Sequence, residues 1–299
     1  MFSGSLPALP TPFRSGGIDE AALRDHLGWL IEEGSSGVVA CGTTGEATSL
    51  MDAEYRRVLD ICVSEANGRV PVIAGCGTPN TATTLDHIRR ARDAGVAAAM
   101  VMAPYYVRPD QKGIVAHFEE LALHGGLPIV LYNVPARTGV DILPETMGEL
   151  VAAYPQIFVA VKDATGSIAR VSTQRETCGS GFCQLSGNDE TALGFMASGG
   201  RGCISVTANV IPGLSADFQE ACRKGDFRYA LDLHDCMVPL HKALFTEPSP
   251  GPLKYAMSRV RAGYSARSRL PVLEVSAESK ALIDFALELT TRSTPVFAL

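Results

Sequence analysis

The chain has 299 residues, 46% hydrophobic and 19% charged, with a formal net charge of −6. This is an ordinary globular composition, long enough for one large domain or two modest ones. The acidic balance argues against a nucleic-acid partner, since neutralising phosphates needs a basic footprint.

No basic start followed by an apolar stretch opens the chain, so no secretory signal is expected. The longest apolar stretch, AGVAAAMVMAPYYV, is too short and too polar at its end to span a bilayer. A cytoplasmic protein without membrane contact is the expectation. None of the eight cysteines forms a Cys-x-x-Cys pair, and several sit in apolar runs. They are expected to be reduced, buried and structural.

The first apolar run, GSLPALPTPF, precedes an amphipathic stretch, DEAALRDHLGWLIEEGSS. The pattern then repeats. SGVVACGTTGE leads to SLMDAEYRRVLDICVSEANGR, VPVIAGCGT to NTATTLDHIRRARDAG, and VAAAMVMAPYY to DQKGIVAHFEELALHGG. LPIVLYNVPARTG leads to LPETMGELVAAYP, and IFVAVKDATG, FCQLSGND and GCISVTAN complete eight runs. Short apolar runs of this kind are strands buried on both faces, and the stretches between carry helical spacing. Alternating strand and helix predicts βα units with right-handed crossovers.

Eight such units predict a closed (β/α)8 TIM barrel over residues 1–225, closed by a helix in IPGLSADFQEACRKGD. An open doubly wound sheet is the alternative, but no Gly-x-Gly-x-x-Gly follows the first run. Residues 226–299 read as a C-terminal all-helical extension, broken at EPSPGP.

Active sites of such barrels lie at the C-terminal strand ends. The run ends supply Thr43 and Thr44, Tyr105 and Tyr106, Tyr132, Asn133 and Arg137, Lys162 and Asp163, Gly187 and Asn188, and Ser205 and Thr207. If Lys162 points inward, strand alternation gives Phe158 and Ala160 the same direction, and turns Val159, Val161 and Asp163 away. A lysine withdrawn from water favours its neutral amine, which attacks ketones to form a Schiff base. The competing reading is a lysine that snorkels to the rim or pairs with an acid.

Schiff-base chemistry needs a proton shuttle, and Tyr132, one strand back, can serve as one or be a plain core tyrosine. Tyr105 and Tyr106 face opposite ways, so at most one enters a given site. The turn GTTGE offers hydroxyls and backbone N–H groups to a carboxylate, and Thr43 with Glu46 also fits a helix capping box. Arg137 in PARTG either clamps a substrate carboxylate or is a solvated loop arginine. No histidine falls at a predicted strand end or in a zinc pattern, and no phosphate loop is present, so neither metal nor cofactor is expected.

In order and spacing, GSLPALPTPF, GTTGEAT, APYYVRPDQKGIVAHF, LYNVPARTG, VKDATG, LSGND, GCISVTANV and PLHKALF resemble the family of dihydrodipicolinate synthase and N-acetylneuraminate lyase. These are pyruvate-dependent class I aldolases, and the resemblance spans essentially the whole chain. It implies a lyase of lysine (diaminopimelate) biosynthesis that joins pyruvate to L-aspartate 4-semialdehyde. It implies a Schiff base on Lys162, Tyr132 as central acid/base, and a proton relay through Thr43 to Tyr106. It places Tyr106 across a dimer interface, in a homotetramer built from dimers. Thr44 would hold the pyruvate carboxylate, Gly187 and the Ile204 carbonyl would line the site, and Arg137 would bind the second substrate's carboxylate.

GTTGE with PARTG favours the synthase over N-acetylneuraminate lyase or a 2-keto-3-deoxy sugar-acid aldolase. Lysine-inhibited members bind lysine near the dimer interface with histidine or glutamate. Here Asp52, Tyr55 and Thr83 stand near those places, and no histidine lies between Cys41 and Asn80. Weak or absent lysine inhibition is the expectation.

Overall fold

The computed structural model describes residues 2–293. Eight strands run parallel in one sheet: β1 (Gly4–Pro7), β2 (Val38–Ala40), β3 (Val72–Gly75), β4 (Ala98–Met102), β5 (Ile129–Asn133), β6 (Phe158–Asp163), β7 (Cys183–Ser186) and β8 (Gly202–Ser205). Each pairs with its sequence neighbour, β8 pairs with β1, and a parallel bridge between Ala8 and Val39 closes the ring. All eight predicted runs are strands of this barrel. A two-residue-per-strand hairpin, Phe13–Arg14 with Gly17–Ile18, is an addition that the apolar pattern did not mark.

The helices between strands are α1 (Glu20–Glu32), α2 (Asp52–Ala66), α3 (Thr81–Ala94), α4 (Gln111–His124), α5 (Pro144–Ala153), α6 (Ala169–Cys178) and α7 (Ala192–Ala197), and α8 (Pro212–Lys224) packs outside β1. Side-chain oxygens of Asp19, Asn80 and Asp110 accept from the first turns of α1, α3 and α4, satisfying donors that helix geometry leaves free. The helix α6 has no apolar stripe: its buried side chains are Val171 and Gln174. Gln174 docks by hydrogen bonding rather than by hydrophobic burial, so periodicity could not reveal it.

Alternation along the strands sorts side chains into two layers. Leu6, Val39, Ile73, Met100, Val130, Tyr132, Ala160, Leu185 and Ile204 fill the barrel, and Val38, Ala40, Val72, Val101, Leu131 and Val161 face the helices. Phe158 departs from the expected parity. The register jumps from Ile129–Phe158 to Val130–Ala160, a bulge at Val159. An extra residue reverses the facing of everything before it. Val159 therefore packs toward the barrel interior, and Phe158 packs outside, edge-on to Phe118 and Tyr154.

Beyond α8 come α9 (Phe227–Ala243), α10 (Gly251–Val260) and α11 (Ala277–Ser293). The last two share an apolar core with Leu240, Leu244 and Val210, against which Trp29 of α1 packs. The C-terminal helices thus lie against the barrel. Residues 294–299 of the predicted extension fall outside the described residues. Among the described residues, no helix is long and apolar enough to cross a membrane.

Candidate active site

The strand ends open into a cavity of about 350 Å³ whose lining includes Thr43, Thr44, Tyr132, Arg137, Lys162 and Gly187. Its centre is fixed by register: β5 and β6 pair Tyr132 with Lys162, so both side chains point inward at the same height. Lys162 is 6% exposed, and its Nζ lies 4.4 Å from the centroid of the Tyr132 ring. Among the described residues it makes no ion pair.

Adjacent Asp163 points the other way. Its carboxylate accepts from the Thr165 amide (2.9 Å) and hydroxyl (2.6 Å), from Arg170 Nε (3.0 Å) and from Gln174 Nε2 (2.6 Å). Arg170 also donates to Asp141 Oδ2, and Asn133 Nδ2 donates to Asp141 Oδ1. The two polar neighbours Asn133 and Asp163 thus belong to a network behind the barrel wall. That network braces β5, β6 and the loop after Arg137, and leaves the cavity to Tyr132 and Lys162.

Gly187 ends β7 beside the lysine. A Cβ at Gly187 would stand 3.0 Å from Lys162 Cε and 2.8 Å from the Ala164 Cβ. A side chain there would displace the lysine stem, so the glycine is a clearance for it.

The GTTGE turn folds back on itself. The amide of Glu46 donates to the carbonyl of Thr43 (3.1 Å), and Glu46 takes a left-handed conformation with φ 53°. This is not a capping box. The Glu46 carboxylate leaves the turn and is used by Lys254 Nζ and the Arg269 amide. Thr44 is 4% exposed, and its neighbour Thr43 lines both the Lys162 cavity and a second one.

Arg137 stands on a one-turn helix, Pro135–Thr138, ended by left-handed Gly139. Its guanidinium is exposed and forms no hydrogen bond or ion pair among the described residues. Tyr106 is 91% exposed, has φ 70° and does not line the cavity of its own chain; Tyr105 faces the second cavity. Ile204 is buried in the barrel interior, and Val206 takes the lining position above it. The Ser205 hydroxyl accepts from the Ala208 amide and does not line the cavity.

Strand ends alone did not reveal the far wall. Asp189 and Glu190 come from the β7 loop, and His241, Phe245 and Ser249 come from α9 and the segment after it. Asp189 Oδ2 accepts from the amides of Val206 (3.0 Å) and Thr207 (3.2 Å), and the Thr207 hydroxyl lies 2.8 Å from His241 Nδ1. Burial lowers the pKa of His241, with Asp189 pulling it back up. His241 lies far from any strand end in the sequence, and only the docking of α9 over the barrel mouth brings it here.

The second cavity, about 430 Å³, is larger but excludes Lys162. It holds Tyr55, whose hydroxyl donates to the Gly75 carbonyl (3.0 Å) and whose ring stacks on His87 at 4.8 Å. A histidine is therefore present there after all, supplied by α3. The described cysteines form no disulfide, and six of the eight are buried. Burial pushes the thiols of Cys62 and Cys76 up to about 12, which suits packing and not nucleophilic attack.

The model of the dihydrodipicolinate synthetase family matches residues 1–289. A 4-hydroxy-tetrahydrodipicolinate synthase of Rhizorhabdus wittichii is 55% identical over 287 residues, covering 96% of this chain and 98% of its own. The crystal structure of dihydrodipicolinate synthase from Aquifex aeolicus superposes with a TM-score of 0.92 at 36% identity, covering 96% and 97% of the two chains. The 4-hydroxy-tetrahydrodipicolinate synthase of Methylacidiphilum fumariolicum superposes with a TM-score of 0.94 at 32% identity, covering 98% and 97%.

Proposed function

The chain belongs to the dihydrodipicolinate synthetase family, lyases that condense pyruvate with L-aspartate 4-semialdehyde, and we propose that it does so through a Schiff base on Lys162. The observation that carries this reading is the placement of Lys162. Its amine is buried at the cavity floor, free of any acid and set over the Tyr132 ring, while Asp163 is spent elsewhere.

The neutral amine attacks the ketone carbon of pyruvate, and the carbinolamine loses water to give the imine. Loss of a methyl proton gives the enamine, which attacks the aldehyde carbon of the second substrate. The amine of that substrate then closes on the imine carbon, forming the ring and releasing Lys162. Each step moves a proton, and Tyr132 is the group placed to give and take it.

Thr43 shares the cavity with Tyr132 and extends the relay. Tyr106, exposed on its own chain, completes the relay in a second copy, so the active form is at least a dimer, and a homotetramer built from dimers fits this reading. Thr44 and its turn hold the pyruvate carboxylate, with Gly187 beside it. The Ile204 carbonyl closes the floor. Arg137, unpaired and facing the cavity, takes the carboxylate of aspartate semialdehyde by a two-pronged contact. No cofactor beyond the covalent adduct is called for, and the product feeds lysine (diaminopimelate) biosynthesis in the cytoplasm.

Borohydride reduction in the presence of pyruvate tests this directly. Mass spectrometry should find the reduced pyruvate adduct on Lys162; an unmodified Lys162 under turnover conditions rules the mechanism out. A coupled assay with pyruvate and aspartate semialdehyde, run beside cleavage of N-acetylneuraminate and 2-keto-3-deoxygluconate, fixes the aldehyde.

A further inference from the structure

A second lysine is buried more deeply than Lys162. Lys254, on α10, is fully shielded from solvent, and its ammonium pairs with Glu46, a residue 208 positions earlier whose side chain is 3% exposed. Both oxygens of Glu46 are used: Oε1 accepts from Lys254 Nζ and Oε2 from the Arg269 amide at 2.8 Å. Lys254 also donates to the Arg267 carbonyl at 2.9 Å. The ring of Phe13 lies 4.2 Å from Lys254 Nζ and 4.3 Å from the Arg269 guanidinium, closing the site from the barrel side.

Such a pair is costly to bury, and apolar residues of the same size often serve stability as well. Its place suggests what it does for the enzyme. Glu46 is the last residue of the GTTGE turn, held in a left-handed conformation that a non-glycine residue adopts at a cost. Its amide donates to the carbonyl of Thr43, and the adjoining Gly45 carbonyl accepts from the Thr11 hydroxyl. Fixing the Glu46 carboxylate therefore fixes the turn from which Thr43 and Thr44 project into the cavity.

We infer that Lys254 and Glu46 are positioning residues for the reaction: the sealed ion pair clamps the GTTGE turn against the C-terminal helices and sets where Thr43 and Thr44 meet pyruvate. The inference rests on the reading of those threonines given above. It also assigns a catalytic reason for the C-terminal helices to pack where they do. Lys254 touches no substrate and acts only through the turn. Because burial lowers its pKa to about 8, loss of the partner charge lets it shed its proton, so neutralising Glu46 strands no charge in the core.

The test uses the full chain and three variants: Glu46→Gln, the apolar pair Glu46→Leu with Lys254→Met, and Lys254→Arg. Glu46→Gln keeps the size and one acceptor, and is expected to lower kcat/KM for pyruvate by about tenfold. The apolar pair releases the turn and should lower it by about a hundredfold. In both, the KM for aspartate semialdehyde at saturating pyruvate should change less than twofold, and borohydride should still trap the adduct at high pyruvate. Lys254→Arg, which keeps a cation within reach of Glu46, should retain most of the parent's kcat/KM for pyruvate.

Unchanged kcat/KM for pyruvate in folded Glu46→Gln overturns the inference, and so does a loss that falls equally on both substrates and follows melting temperature. If the apolar pair fails to fold, Glu46→Gln and Lys254→Arg decide. Absence of a trapped adduct in the parent enzyme would instead remove the Schiff-base reading itself, which separates the two failures.

Discussion

The amine of Lys162 sits 4.4 Å above the ring of Tyr132, and the two residues are direct partners in the register of β5 and β6. One strand pairing thus places both the residue proposed as nucleophile and the one proposed as proton shuttle. Lys162→Arg should leave the fold intact but abolish the trapped adduct and lower kcat by at least about a thousandfold, because guanidinium cannot supply a neutral amine. Tyr132→Phe keeps the ring under the amine. It should still bind pyruvate, while kcat falls by about 10²–10³ through the lost proton transfer. Near-normal turnover by Tyr132→Phe would move the shuttle elsewhere.

Gly187 offers a steric test of the same geometry. An alanine methyl there would meet Lys162 Cε at 3.0 Å and the Ala164 Cβ at 2.8 Å. Gly187→Ala should therefore turn the lysine stem and lower kcat/KM for pyruvate by about 10², with a small effect on melting temperature. Single-turnover trapping rates with pyruvate alone measure it, and a rate equal to the parent's shows that the stem has room to yield.

Under the proposed function, Arg137 acts on the second substrate alone. Arg137→Ala should raise KM for aspartate semialdehyde by about 10–10², the worth of a charge-assisted contact. The rate of adduct formation with pyruvate should stay as it was. Steady-state kinetics with each substrate varied in turn separate the two, and an equal loss on the pyruvate side would assign Arg137 to the first carboxylate.

The barrel was legible in the sequence because doubly buried strands read as apolar runs, even where β1 and β7 carry the buried polar residues Ser5, Gln184 and Ser186. Lys162, Tyr132, Thr43, Thr44, Arg137 and Gly187 were legible because strand ends of a barrel converge, and they do line one cavity. What escaped was set by contacts distant in sequence. Phe158 changed sides because of a bulge in its pairing with β5, which alternation within one strand does not mark. Glu46 matched a local capping pattern, but a lysine 208 residues away competed for its carboxylate and won. His241 reached the cavity only through the packing of α9. Tyr106, expected to reach across a dimer interface, is exposed and does not line the cavity of its own chain.

His26 gives the molecule an acid limit. Its Nε2 lies 3.1 Å from Asn209 Oδ1, and because the Asn209 amide nitrogen already donates to the Ala8 and Val206 carbonyls, the imidazole must be the donor. Burial lowers its pKa to about 4 from the ordinary 6.5. The unfolded chain therefore binds the proton first, so stability is fully present above pH 6.5 and declines as pH falls toward 4. His26 alone should cost about 2 kcal/mol at pH 5 relative to pH 7, and His117, lowered likewise to about 4, adds a similar share. Urea unfolding at the two pH values should show the loss. In His26→Gln the difference should shrink by His26's share, and a variant that retains the full pH dependence would trace it to other groups.

The second cavity carries the last prediction. A bound lysine would need a free carboxylate for its amines, and the acid lining this cavity, Asp52, is already paired with Arg90 at 3.1 Å. Tyr55 fills the adjoining space, held by its bond to the Gly75 carbonyl and its stack on His87. Yet Thr43 and Arg137 line this cavity as well as the catalytic one, so any ligand that did enter would be felt at the active site. Activity should accordingly change less than twofold in millimolar lysine at subsaturating pyruvate. Strong inhibition under those conditions would mean that Asp52 leaves Arg90 for the ligand at little cost, and Arg90→Ala, by freeing Asp52, should then deepen the inhibition further.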